Sequence, residues 1–152
     1  MKDLLRLVSI LLSLTALIAF GHNGSHQGDD QIGIPGNPKK ASRVIEVTMD
    51  DTMRFTPSQF EIKQGETIQF LVKNNGKVKH EMVLGSIKEL QEHAKLMQEY
   101  PDMEHTDPNQ ISLAPGETGT LVWKFTNIGT FSFACLQPGH YESGMVGSLS
   151  IK

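Results

Sequence analysis

The sequence predicts an all-β sandwich carrying one helical insertion near residues 86–100. Three observations lead there. Apolar and polar residues alternate over short stretches, as in Ile68, Phe70 and Val72 or Leu121, Trp123 and Phe125, the period of strands with one face in a core. Turn-forming groups such as Asn74-Asn75-Gly76 and Ala114-Pro115-Gly116 separate these stretches. Between Ser86 and Tyr100 alone the apolar spacing lengthens to that of a helix.

The first segment stands apart. Lys2 and Arg6 precede an apolar run from Leu7 to Phe20, and Ala19-Phe20-Gly21 puts small residues where a signal peptidase reads. Residues 1–21 are therefore read as a secretory signal peptide. The run is shorter than the roughly 20 residues that span a bilayer, so no stable membrane association is expected. No Cys lies near the cleavage region to carry a lipid. The expected compartment is the periplasm. Residues 22–42, rich in Gly, Asn, Gln, Asp and Pro, read as a flexible tail in which His22 and His26 could bind copper weakly, the bland reading being that they are simply solvated. One domain, residues 43–152, follows.

Within it, Val44 to Met49 forms a strand with Ile45 and Val47 on one side. Asp50-Asp51 breaks the pattern. Met53 to Ile62 gives a second extended stretch, with Phe60 and Ile62 inward, and Lys63-Gln64-Gly65-Glu66 turns the chain. Thr67 to Lys73 is the third strand. His80 to Leu84 is the next, and the shared parity of His80, Met82 and Leu84 points the imidazole inward. Ser86-Ile87-Lys88-Glu89 is a capping box that starts a helix. Ile87, Leu90, Ala94 and Met97 form its apolar stripe, Pro101 ends it, and residues 101–110 are a loop. Strand character returns at Ile111 and again through Leu121, Trp123 and Phe125. The last two strands carry Phe131, Phe133 and Cys135, then Met145, Gly147, Leu149 and Ile151, each set on one face. Some seven strands with short turns make a sandwich.

A chain of 152 residues, 38% hydrophobic and 20% charged, suffices for one domain with a real core. A net charge of −3 without a basic cluster argues against nucleic-acid binding.

The chemistry concentrates near the end, in Cys135-Leu-Gln-Pro-Gly-His140-Tyr-Glu-Ser-Gly-Met145. A thiol, an imidazole and a thioether lie on one short loop, and His80 is the main candidate for a second imidazole. These are the donors of a His₂Cys site with a weak axial Met, the blue-copper arrangement. The thiolate favours Cu(I) and bonds covalently to Cu(II), neutral imidazoles suit both ions, and a long thioether contact adjusts the potential. Export adds weight, because an exported protein with one Cys has no internal disulfide to form, and ligation protects the thiol. The bland reading is an inert buried thiol. Zinc accepts Cys and His as well, but its structural sites usually hold more thiolates and seldom Met. A Cys135–His140 nucleophilic pair lacks a third orienting group and leaves His80 and Met145 without a role. No catalytic residue is assigned, with cuprous-ion oxidation the one activity kept in view.

Phe55-Thr56-Pro57, Gly65-Glu66-Thr67, Asn74-Asn75-Gly76, His80, Pro115-Gly116-Glu117 and Cys135-x₄-His140-x₄-Met145 together resemble the cupredoxin family across about residues 43–152. The His80 to Gly85 segment, the helical insert with Pro101 to His105 and Cys135 to Tyr141 are most similar to periplasmic cupredoxins linked to bacterial copper tolerance (CopI-type). The resemblance implies a Greek-key sandwich with one type 1 copper ion at one end, held by His80, Cys135, His140 and Met145. Many members carry a small polar residue after the first His, hydrogen-bonded toward the Cys loop; here Glu81 stands in that place.

Further soft donors are scattered. Met82 follows His80 by two residues, His93 and Met97 are one helical turn apart, and Met49, Met53, Met103 and His105 add to them. A Met/His surface would hold Cu(I) transiently, whereas the bland reading has these methionines filling gaps in the core. The expected role is copper tolerance by a monomer that binds copper ions and docks a redox partner near His140. The alternative is a soluble electron carrier between respiratory or redox-enzyme partners. A copper enzyme such as a nitrite reductase or multicopper oxidase requires a second copper centre, which this single domain does not offer.

Overall fold

The protein is described here by a computed structural model covering residues 32–101, 103 and 106–152. The expected signal peptide, His22, His26 and His105 lie outside the described residues.

In chain order the elements are β1 (Gly33–Pro35), β2 (Arg43–Asp50), β3 (Arg54–Thr56), β4 (Gln59–Ile62), β5 (Thr67–Asn74), β6 (His80–Gly85), α1 (Ile87–Glu99), β7 (Gln110–Leu113), β8 (Thr118–Phe125), β9 (Gly129–Ala134) and β10 (Val146–Ile151), with a 3₁₀ turn at Pro38–Lys40. Two five-stranded sheets result, in the orders β1-β8-β5-β2-β3 and β4-β10-β9-β6-β7. Strands cross between the sheets, so β2 pairs in parallel with β5, and β10 in parallel with β4. This is the sandwich with one helix that the sequence predicts, in the Greek-key form that the resemblance implies.

Three details differ from the sequence reading. The tail expected over 22–42 gives up its later part to the sandwich: β1 pairs with β8, and Ile32 is 1% exposed in the core. Three residues are too short to show a period, which hid this strand. The single stretch expected over Met53 to Ile62 is two strands on opposite sheets. Pro57 has no N–H for a ladder and divides them. Counting these and β7 separately gives ten strands among the described residues, in place of some seven.

The third difference concerns the helix. Its capping box forms as expected, with Ser86 Oγ accepting the Glu89 N–H at 3.3 Å and the Glu89 carboxylate accepting the Ser86 N–H at 3.0 Å. Leu90, Ala94 and Met97 are buried, but Ile87 at the stripe's upper end is exposed. The buried face packs on the outer side of β6 and β9, against Val83, Ala134 and Leu136. Both faces of β6 are therefore covered, and all six of its residues are buried.

The main core lies between the sheets. Phe55, Phe60, Phe70, Phe125 and Phe133 pack there with Trp123, Leu149 and Ile151. Phe133 meets Phe55 edge-on at 4.9 Å between centroids and stacks on Phe60 at 5.2 Å, favourable ring geometries. A Cβ on Gly147 would stand 2.1 Å from the Phe133 ring, so that position admits glycine alone. Cys135 and Met145 belong to this core at its end, each 0% exposed.

Candidate metal centre

Register brings the site together. Ala134, the last residue of β9, pairs with Val83 of β6 on one side and with Val146, the first residue of β10, on the other. His80 at the start of β6, Cys135 just past β9 and Met145 just before β10 thus meet at one end of the second sheet. The segment between them is a tight loop. His140 N–H donates to Gln137 O at 2.9 Å, Ser143 N–H to Gly139 O at 3.2 Å and Gly144 N–H to Tyr141 O at 2.9 Å. Gly139 and Gly144 take φ values of +82° and +87°, in the left-handed region that a side chain disfavours. Arg54 on β3 closes the loop from outside, its guanidinium donating to Ser143 O at 2.9 Å.

Three donor atoms converge. Cys135 Sγ lies 3.3 Å from His140 Nδ1 and 4.0 Å from His80 Nδ1. The two rings stand 4.9 Å apart at 50°. All donor atoms of His80, Cys135 and His140 fall within 4.8 Å of one another, close enough to hold one metal ion. Among the described residues this is the one such group of His, Cys, Asp and Glu. Met145 is braced to the same place, its N–H donating to His140 O at 3.1 Å and its carbonyl accepting the Cys135 N–H at 3.1 Å. His80 and Cys135 are fully buried, whereas His140 is half-buried and reaches the surface.

The electrostatics suit a metal more than a free thiol. Burial pushes the Cys135 thiol up to about 12, and the Glu81 carboxylate adds to the rise, against the opposing Glu81 N–H. That N–H points at the sulfur from 3.4 Å. Burial lowers the His140 imidazole below its usual value, and His80 lowers it further. The pocket thus favours a neutral imidazole and needs a cation to stabilise a thiolate. One thiol and two imidazoles, with Met145 held beside them through its backbone, are a donor group that suits copper in both oxidation states.

Glu81 completes the surroundings. Its side chain is buried, with Oε1 accepting the Leu136 N–H at 3.0 Å and Oε2 accepting from Ser112 Oγ at 3.0 Å and Gln137 Nε2 at 3.1 Å. The carboxylate occupies the place of the small polar residue and still bonds toward the Cys loop.

Sequence reasoning missed two supports. Asp51 was read as a strand break, yet its Oδ1 lies 3.1 Å from His80 Nε2. Asn74 was read as a turn residue, yet it is 0% exposed and its Nδ2 donates to Val78 O at 2.8 Å and Leu113 O at 3.0 Å. Local pattern carries no sign of either role, since Asp51 and His80 are 29 residues apart. Among the remaining soft donors, Met49 and Met82 are fully buried in the main core, Met97 belongs to the helix cluster, and Met53 packs partly buried. Met103 is 38% exposed and lines, with Met97, a cavity of about 430 Å³ beside Glu81.

Comparison with known proteins agrees with this geometry. Residues 41–152 match the family described as copper-binding proteins, plastocyanin/azurin family. The chain is 42% identical over 160 residues to a copper-resistant cuproprotein CopI of Rubrivivax gelatinosus, covering 100% of this chain and 97% of that protein. It is 34% identical to a protein of the same description from Pseudomonas aeruginosa, covering 93% and 94%. Among solved structures, the dithionite-reduced auracyanin of Roseiflexus castenholzii superposes with a TM-score of 0.62 at 22% identity, over 74% of this chain and 98% of that one.

Proposed function

The chain belongs to the plastocyanin/azurin family of copper-binding proteins, and on that premise we propose that His80, Cys135, His140 and Met145 hold a single type 1 copper ion in the service of copper tolerance. The observation that carries this reading is the convergence of His80 Nδ1, Cys135 Sγ and His140 Nδ1 at the buried end of the sandwich. Copper held there supplies one-electron exchange between Cu(I) and Cu(II). The protein's own part is to fix the donors and keep water from the sulfur. His80 and Cys135 are sealed by the core, and the Glu81 N–H and carboxylate hold the chain on either side of the thiol. A rigid cage of this kind needs little rearrangement on electron transfer.

The role in tolerance is supported by the curated relatives, which are described as copper-resistant cuproproteins and align over nearly their whole length. The signal-like residues 1–21 support a periplasmic location. We assign the chain a non-catalytic, monomeric role in binding and redox handling of copper ions. Absorption titration with Cu(II) tests the site: the wild type develops an intense visible thiolate-to-copper band, and colour persisting in Cys135→Ala would overturn the assignment.

The partial exposure of His140 favours a second reading. An imidazole that is both metal donor and surface group gives an electron a short exit, so a redox partner docks around it and the protein serves as a soluble carrier. Deleting the gene separates the two. Sensitivity in excess copper alone supports tolerance, whereas impaired respiratory growth at low copper supports the carrier.

A further inference from the structure

His80 has two ring nitrogens with different neighbours. Nδ1 faces Cys135 Sγ from 4.0 Å, and Nε2 lies 3.1 Å from Asp51 Oδ1 on the β2–β3 turn. The carboxylate is built into its place. Its Oδ2 accepts the Lys77 N–H at 2.8 Å, and Oδ1 accepts the Lys77 N–H at 3.0 Å and the Val78 N–H at 3.4 Å. Asn74 Oδ1 accepts the Gly76 N–H at 2.8 Å and folds the same loop from within. Gly76 has no room for a side chain, because a Cβ there would stand 2.1 Å from Asp51 Oδ1 and 3.0 Å from His80 Nε2. The loop before β6 is thus shaped around the Asp51–His80 contact.

We propose that Asp51 is a positioning residue for the metal, locking His80 in the tautomer that offers Nδ1 to the site and biasing the site toward the oxidised ion. The argument rests on the copper reading above and deepens it. A carboxylate oxygen accepts, so the hydrogen sits on Nε2 and the Nδ1 lone pair is left for the ion. A carboxylate behind a ligating imidazole fixes the ring and raises its basicity. Extra negative charge also stabilises Cu(II) more than Cu(I), because the interaction scales with the charge of the ion. Asp51 is 39% exposed at its side chain, so solvent moderates the effect without removing the hydrogen bond. His140, half-buried at the surface, has its Nδ1 3.3 Å from Cys135 Sγ and, among the described residues, no carboxylate hydrogen-bonded to its ring, which makes the two imidazoles unequal.

The test uses full-length mature protein with Asp51→Asn, which keeps size and an acceptor oxygen but removes the charge, and Asp51→Ala, which removes both. Two measurements are made. The first is the ¹⁵N spectrum of the His80 ring in copper-free protein. The second is the midpoint potential of the copper-loaded protein, with the visible band recorded alongside. Wild type should show a hydrogen on Nε2, and Asp51→Ala a mixture of tautomers. Asp51→Asn should raise the potential, with a tenfold change in the Cu(II)-to-Cu(I) affinity ratio reading as about 59 mV for one electron. Cu(II) affinity should fall roughly 10–100-fold in Asp51→Ala. A folded Asp51→Asn protein with unchanged potential overturns the electrostatic bias. An Asp51→Ala protein whose His80 keeps a single Nε2–H tautomer overturns the lock. If Asp51→Ala fails to fold, Asp51→Asn and the wild-type ring spectrum still decide. A wild type that forms no thiolate band sinks the copper reading instead, and the copper-free ring spectra then judge Asp51 on their own.

Discussion

The carboxylate of Glu81 accepts the backbone N–H of Leu136 at 3.0 Å, so the residue after one imidazole holds the residue after the thiol. With its other oxygen taken by Ser112 and Gln137, one buried side chain joins β6, β7 and the ligand loop.

Removing that carboxylate should therefore cost stability and disturb the site together. Glu81→Ala leaves the buried Leu136 N–H without an acceptor, a loss of about 1–3 kcal/mol. Urea unfolding of the copper-free variant measures it. The copper-loaded variant should also show a displaced visible band, because the N–H of residue 81 that faces Cys135 Sγ rides on the same segment. Unchanged unfolding and an unchanged band would mean that the three hydrogen bonds carry no weight.

Copper loading should release a proton. The Cys135 thiol is raised to about 12, foremost by burial, so it is protonated throughout the neutral range. Binding through sulfur requires the thiolate. Burial, foremost, holds the His140 imidazole below its ordinary range, so it adds no proton of its own near neutrality. About one proton per copper should appear in weakly buffered solution, and affinity should rise about tenfold per pH unit above neutrality. Loading without proton release would remove Cys135 from the donor set. For the copper-free fold the sign is the reverse. The folded pKa lies above the unfolded value near 9.0, so this stability is complete below about pH 9. It is lost as pH climbs from there toward 12, because the unfolded chain gives up its proton first.

The helix should prove to be scaffold. Leu90 is 2% exposed and packs with Ala94, Met97 and Val83 on the outer face of the second sheet. Leu90→Ala should cost about 2–5 kcal/mol, the usual range for a large apolar residue cut from a core. The wavelength of the copper band should stay in place. A shift of the band with stability unchanged would reverse the assignment.

Much of this architecture was legible in the residues because it rests on period. The alternation that put Phe131, Phe133 and Cys135 on one face, and Met145 and Leu149 on another strand's inner face, reappears as burial. The capping box at Ser86 is a local device, readable from four residues, and it forms as read. What escaped were pairings made at a distance. β1 is three residues long and acquires its identity from β8. Ile87 fits the helical stripe, yet it lies at the first turn, where the sheet no longer covers it. Asp51 looks like any turn aspartate until the fold brings it to His80. The ligand loop announces its donors because they lie within eleven residues. The groups that orient the donors come from the β2–β3 turn, the end of β5, and β6 and β7, and only tertiary structure joins them.

Met145 permits the cleanest separation of backbone from side chain at this site. Its N–H and carbonyl bond to His140 and Cys135, each at 3.1 Å, and these braces survive any side chain that fits the space. Leu fits closely, and such swaps in a core usually cost under about 1.5 kcal/mol. Met145→Leu should therefore fold, retain the loop and still take up copper through Cys135, His80 and His140. What it loses, on the proposed ligand set, is a weak donor to the ion. With less electron density supplied, the more highly charged state is the less stabilised, so the reduction potential should rise. Voltammetry of the two loaded proteins measures this directly. An unchanged potential would remove the thioether from the site. Failure to bind copper in a folded variant would instead make it an essential ligand, contrary to the weak axial role assigned to it.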